Sequence, residues 1–146
     1  MKRAFPFLFV LIACNPYKAL RPASADFASA QGPAGIRFQV PKGWKKVRSE
    51  TDSAGRLVQL YDYGSGTVFY VAYAPKGGTI QPIPRDRHVP KLLPSGDTLY
   101  KEQADASGRI WREDMKGRLR AGYFNVNEGK SEALFDSAVN SVRAIR

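Results

Sequence analysis

The sequence predicts an α+β fold: an antiparallel β-sheet meander with a C-terminal amphipathic helix packed on one face. Three observations carry this. Ile36-Arg37-Phe38-Gln39-Val40 alternates apolar and polar residues, as a half-buried strand does. Leu57 to Tyr63 and Thr67 to Ala74 are strand-like runs joined by Gly64-Ser65-Gly66, a hairpin signal. From Ser131 to Ile145, Leu134, Ala138, Val142 and Ile145, flanked by Phe135 and Val139, form one apolar stripe at helical spacing.

The chain opens with Lys2 and Arg3 and an apolar run, Ala4 to Ala13 (AFPFLFVLIA). Residues 1–13 thus read as an export signal peptide. The run is too short to cross a bilayer, which needs about 20 residues, and no later stretch comes closer. Two exits from the signal are open. Leu11-Ile12-Ala13-Cys14 resembles the bacterial lipobox, in which the cysteine is acylated and becomes the first residue. Ala23-Ser24-Ala25 offers a small-x-small site with a cut after residue 25, though Lys18 and Arg21 make its approach long and charged. A plainer reading leaves Cys14 a small hydrophobe. On the first reading two or more acyl chains on Cys14 hold the protein at a membrane. Residues 14–34, rich in Ala, Pro and Ser, then form a flexible tether, reaching roughly 25 Å over its last twenty residues as a coil. Residues 35–146 form the single folded domain.

The formal charge of +10 falls to +8 after a cut before Cys14 and to +6 after a cut behind Ala25. Either mature form stays basic, which favours anionic surfaces or an acidic partner. Cys14 is the only cysteine, so no intrachain disulfide forms.

Within the domain, Pro41-Lys42-Gly43 turns the first strand, and Trp44 after it reads as a plug on the sheet edge, with ligand stacking as the other reading. Thr67 to Ala74 (TVFYVAYA) is apolar or aromatic on both parities and belongs in a central strand covered on both faces. Pro75, Pro82, Pro84, Pro90 and Pro94 break the stretch from 75 to 97, which reads as a long loop. Thr98 to Gln103, Arg109 to Met115 and Arg118 to Val126 continue the meander. Arg143 and Arg146 sit where the dipole of the last helix favours cations.

Phe38-Gln39-Val40-Pro41-Lys42-Gly43-Trp44 (FxVPxGW), the meander and the terminal Ser137-Ala138-Val139-Asn140-Ser141-Val142-Arg143 together resemble the PsbP-like family of small bacterial envelope proteins. The resemblance implies an α/β/α fold and an accessory or binding role, and it supplies no active-site residues. It covers residues 35–146 in outline and matches by residue only at the two ends. The proline-rich middle departs from the pattern where relatives often carry helix, so part of one helical layer is expected to be missing.

Catalysis is poorly supplied. His88, the only histidine, lies in Arg85-Asp86-Arg87-His88, where two arginines oppose its protonation and no nucleophile is implied. A hydrolase built on His88 is a less favoured reading, and a purely structural spacer is a third. No cluster of Cys, His and carboxylates has metal-ligand spacing, and no cofactor or metal is expected. Lys76-Gly77-Gly78-Thr79 lacks the glycine spacing of a phosphate loop. Glu113 and Asp114 are adjacent, so on a strand they point to opposite faces.

The informative cluster is basic, Arg109 to Phe124 (RIWREDMKGRLRAGYF). With a type I turn opened by Asp114 and Gly117 in the left-handed position, Arg112 pairs with Arg120 and Asp114 with Arg118. One face then carries Arg112, Asp114, Lys116, Arg118 and Arg120, and the other carries Trp111, Met115, Leu119, Ala121 and Tyr123. A two-residue turn at Lys116-Gly117 would instead scatter the charges. The segregated register makes Arg112, Lys116, Arg118 and Arg120, with Arg85 and Arg87 in the loop, the candidate partner contacts. Nucleic acid would demand aromatic stacking beside the cations, for which that face offers only Phe124, and export argues against it as well. The sequence therefore points to a non-catalytic, envelope-anchored binding or accessory lipoprotein that meets a protein partner or an anionic envelope polymer. A soluble secreted inhibitor or immunity-type protein is the alternative.

Overall fold

Antiparallel pairing organises the chain into two sheets that share one helix. The computed structural model describes residues 19–27, 35–51, 57–73, 91–92, 98–103 and 108–145. Its strands are β1 (Leu20–Ala25), β2 (Gly35–Pro41), β3 (Lys46–Thr51), β4 (Leu57–Gly64), β5 (Thr67–Tyr73), β6 (Lys91–Leu92), β7 (Thr98–Gln103), β8 (Arg109–Lys116), β9 (Leu119–Asn127) and β10 (Arg143–Ile145). The helix α1 covers Lys130–Asn140. The large sheet runs β3-β4-β5-β9-β8-β7-β6 and the small one β1-β2-β10. The α+β expectation holds at this level, with the helix late in the chain and packed against a mostly antiparallel sheet.

β5 lies inside the large sheet between β4 and β9, as its two-faced apolar pattern requires. Phe69, Val71 and Tyr73 face the main core, while Tyr70 and Ala72 join Val58 in a second cluster on the far side. The β4–β5 hairpin closes through Ser65 and Gly66, both at positive φ, as a primed two-residue turn demands.

The small sheet and the helix together cover one face of the large sheet. β2 buries Ile36, Phe38 and Val40 and exposes Arg37 and Gln39, the alternation read from its sequence. Phe38 meets Tyr61 edge-on at 5.8 Å, and Tyr63 donates its hydroxyl to the Pro41 carbonyl at 2.6 Å. Phe135 of α1 meets Tyr63, Tyr123 and Phe69 edge-to-face. Ala138 and Val139 complete the buried stripe.

Two expectations need correction here. The stretch expected as tether contains β1, paired residue for residue from Leu20 opposite Pro41 to Ala25 opposite Ile36. Leu20, Ala25 and Phe27 belong to the main core, so the fold begins well before residue 35. Pro22 disguised the strand, yet an edge strand tolerates a missing N–H. The helix is also shorter than its apolar stripe. It stops at Asn140, and Arg143–Ile145 turns back as β10 along β2. Ser141 makes the break: its hydroxyl donates to the Ala138 carbonyl at 2.6 Å and accepts the Gln39 N–H at 2.7 Å. Such local bonding is why serine competes with helix continuation. Arg143 does meet the helix end as expected, donating to the Asn140 carbonyl at 2.6 Å. Of the long loop, Lys91–Leu92 forms β6 beside β7, and the rest lies outside the described residues.

Candidate functional site

The β8–β9 hairpin decides where the predicted cations stand. Gly117 takes φ 59 as the first residue of a two-residue turn, and Lys116 pairs with Leu119. Met115 therefore pairs with Arg120, and Arg112 lies opposite Tyr123. The expected register with a three-residue loop is overturned. Glycine at the first turn position satisfies a two-residue turn without shortening either strand, so the longer pairing is kept. Arg112 and Asp114 share the helix-facing side with Leu119, Ala121 and Tyr123, while Arg120 lies on the other side.

The single basic face accordingly does not form. Arg120 is buried and donates to the carbonyls of Gly117 (2.6 Å) and Leu119 (2.8 Å), closing the turn. Arg118 is exposed and reaches the Tyr73 hydroxyl at 3.2 Å, and Lys116 is partly exposed. Arg85, Arg87 and His88 lie outside the described residues, as does Cys14.

Arg112 is buried beneath α1 in a network of acceptors. Its guanidinium grips Asp114 with two bonds of 2.7 Å and reaches Asp136 and Asn140 of the helix at 2.8 Å each. Tyr123 donates to the same Asp136 oxygen at 2.8 Å. Burial works against the charge on Arg112, but hydrogen bonds and attraction from Asp114 and Asp136 outweigh it and raise its pKa. Burial, then the bond to Asp136, pushes the Tyr123 hydroxyl well above its ordinary range. This network ties the helix to the sheet. Its groups answer one another, which is a structural role.

A second buried polar pair lies on the far face. The Tyr70 hydroxyl donates to Glu113 Oε2 at 2.6 Å, across Gly122 of the strand between them. A Cβ on Gly122 would run into the Arg112 carbonyl and the Tyr70 hydroxyl, so glycine clears the path of the tyrosine. Phe124 stacks on Tyr70 at 5.3 Å. Glu113 and Asp114 thus do point to opposite faces, as strand alternation requires.

The exposed site is elsewhere, at the start of β1. The pairing of Leu20 with Pro41, with the Lys42 N–H donating to the Ala19 carbonyl at 2.8 Å, brings Arg21 beside the Pro41-Lys42-Gly43 turn. A shallow cleft of about 650 Å³ opens there, lined by Leu20, Arg21, Pro22, Lys42, Gly43 and Trp44. Trp44 packs edge-on against Tyr61 at 5.5 Å, the plugging role expected of it. The Arg21 guanidinium lies 5.9 Å from its ring centre, within cation–π range. Lys45 and Lys46 follow, with the Lys45 N–H bonded to the Asp62 carbonyl at 2.7 Å. Arg21, Lys42, Lys45 and Lys46 are all exposed, and among the described residues none is held in an ion pair. The run PKGWKK made three of these cations visible in the sequence; Arg21 was hidden because its strand read as tether.

Among the described residues, no three His, Cys, Asp or Glu side chains gather as a metal would need, and no helix is long and apolar enough to cross a membrane. Compared with protein-family models, curated proteins and solved structures, the chain matches none.

Proposed function

We propose that this chain is an envelope-anchored accessory module, lipidated at Cys14, that works by binding rather than by catalysis. One observation carries the choice between the two exits: β1 is built into the fold. A cut after Ala25 would strip a paired strand and two core side chains, Leu20 and Ala25, from the mature protein. A cut before Cys14 leaves every described element intact, with the folded part starting six residues from the lipid. Its binding character is supported by the use of its buried charges. Among the described residues, buried Arg112 and Asp114 join Asp136 and Tyr123 in fixing the helix, buried Arg120 closes a turn and buried Glu113 accepts from Tyr70. The module meets a protein partner or an anionic envelope polymer while held at the membrane. Of the cations first singled out for that contact, Arg118 and Lys116 keep the reading because they reach the surface.

Kinship with the PsbP-like family belongs to the same proposal. It is supported by the placement of FQVPKGW at the β2 turn and of SAVNSVR at the helix end, against one antiparallel core. The deciding experiment is the intact mass of the mature protein taken from its native envelope. A mass starting at Cys14 with acyl chains is expected. A lipid-free mass starting at Asp26 would sink the anchor and shift the protein to a diffusing, inhibitor-type role.

A further inference from the structure

We infer that the basic end around Trp44 is a membrane-docking surface, which seats the domain on anionic lipid headgroups and fixes its orientation. The inference rests on the anchored reading just given, and it adds a lipid-facing side to the domain.

Three features converge on it. The first is position. From Cys14 to Leu20 the chain spans at most about 20 Å, even fully extended. The start of β1 is therefore the part of the domain that an acylated Cys14 holds nearest the bilayer. Lys42 lies beside it through the Ala19–Lys42 bond, and Trp44, Lys45 and Lys46 follow directly.

The second is charge. Arg21, Lys42, Lys45 and Lys46 are exposed at this end, and Arg48 follows, also exposed, on the edge strand β3. Asp62 is the acidic neighbour: it is paired in register with Lys46, and its carboxylate accepts the Gly64 N–H at 2.7 Å. Among the described residues, Arg21, Lys42, Lys45 and Lys46 against the Asp62 carboxylate leave the end net positive. Attraction to a charged surface is confined to about 10 Å at ordinary ionic strength. A tether of at most about 20 Å lets the cations come within that range of the surface.

The third is chemistry. Trp44 is half-buried, with one edge on Tyr61 and Arg21 over its ring. An aromatic ring flanked by long basic side chains suits the headgroup level of a bilayer, where one end is apolar and the other wet. The shallow cleft beside it, with Gly43 at φ 99 on an open turn, gives headgroups room to approach.

The test uses the mature protein purified from the envelope, its intact mass recorded first. It is placed in vesicles of phosphatidylcholine alone or of phosphatidylcholine with phosphatidylglycerol, each carrying a headgroup spin label that quenches tryptophan. Trp111 is buried, and a Trp44→Phe variant assigns the quenching to Trp44. Strong Trp44 quenching is expected in the anionic vesicles, falling in the neutral ones and at high salt. Each cation near such a surface contributes roughly a fivefold preference, so Lys42→Ser/Lys45→Ser/Lys46→Ser should lower the docked-to-undocked ratio by on the order of 100-fold. Its melting curve should match wild type, since all three side chains are exposed. If that variant melts early, Arg21→Ser replaces it, with an expected loss of about fivefold. Equal quenching in both vesicle types, or an unchanged ratio in the variants, overturns the docking surface. The two readings fail separately. An acylated protein without quenching keeps the anchor and loses the docking face; a lipid-free protein quenched on anionic vesicles does the reverse.

Discussion

Arg112 shows how a side chain singled out in the sequence as a surface contact can instead stand buried. Its neighbours in sequence are Trp111 and Glu113, and nothing local says that Asp136 and Asn140, more than twenty residues on, will reach it. A cation taken from water needs nearly all its donors satisfied, and here Asp114 and the helix do so. The same Asp136 oxygen holds the Tyr123 hydroxyl, which gives the network a pH signature. Tyr123, Tyr63 and Tyr61 all have pKa values raised above the ordinary 10.0, with burial the first cause in each. The unfolded chain loses these protons near pH 10 while the folded chain keeps them. Their contribution to stability is therefore complete below pH 10 and falls as pH rises above it. The slope is about 1.4 kcal/mol per pH unit for each group that stays protonated. Tyr123→Phe should cost about 1 kcal/mol near neutral pH through the lost bond to Asp136, and should also flatten the alkaline decline by one proton. Urea unfolding across the alkaline range measures both; an unchanged slope would show that Tyr123 ionises in the folded state.

At the scale of elements, what could be read from the sequence was whatever a period or a turn residue announced. β2 alternated, β5 was apolar on both sides and Gly64-Ser65-Gly66 marked a hairpin, and each stands where its pattern put it. The misreadings share a cause: tertiary pairing overrode a weak local signal. β1 has Pro22 and two alanines and becomes a strand because β2 offers it an edge. β10 continues a helical stripe in sequence, yet is taken by the opposite edge of β2. The candidate site followed suit, because Arg21 could not be placed beside Trp44 until β1 was known to be a strand. The β8–β9 register turned on Gly117, and on one further residue that gave little warning. Asn125 takes φ 58 within β9, where the pairing slips between Ile110 and Arg112. That bulge lets Tyr123 and Val126, three residues apart, face the same core. Its carbonyl also accepts from Thr67 and Arg109, so the distortion is held on both sides. Asparagine tolerates this left-handed conformation and a β-branched residue does not. Asn125→Gly should change stability by less than about 1 kcal/mol, and Asn125→Val should cost about 2 kcal/mol or more, in denaturant unfolding. Equal costs would mean that the side chain's bond to the Ser65 carbonyl matters more than the backbone conformation.

For the whole molecule, the proposed cleavage and the fold are one problem, because a cut after Ala25 would fall at the last residue of a strand. Leu20 is 8% exposed and Ala25 4%, so removing β1 takes two buried side chains out of the main core. Burying one leucine side chain contributes about 1.5–3 kcal/mol. Removing β1 also turns β2 into an unpaired edge along that side, with its N–H and C=O groups facing water. Against a total stability of about 5–15 kcal/mol, such a loss is large. A chain starting at Asp26 should therefore melt roughly 10–20 °C below one starting at residue 14 with Cys14→Ser, and should bind a hydrophobic dye at ambient temperature. It also lacks Arg21, so the cation over Trp44 goes with the strand. The comparison needs neither lipid nor partner, because it asks only whether residues 20–25 belong to the folded unit. Matching melting curves would free β1 from the fold and reopen the cut after Ala25. A clear gap would mean that a cut after Ala25 yields a damaged domain, which supports the proposal that processing spares residues 20–25.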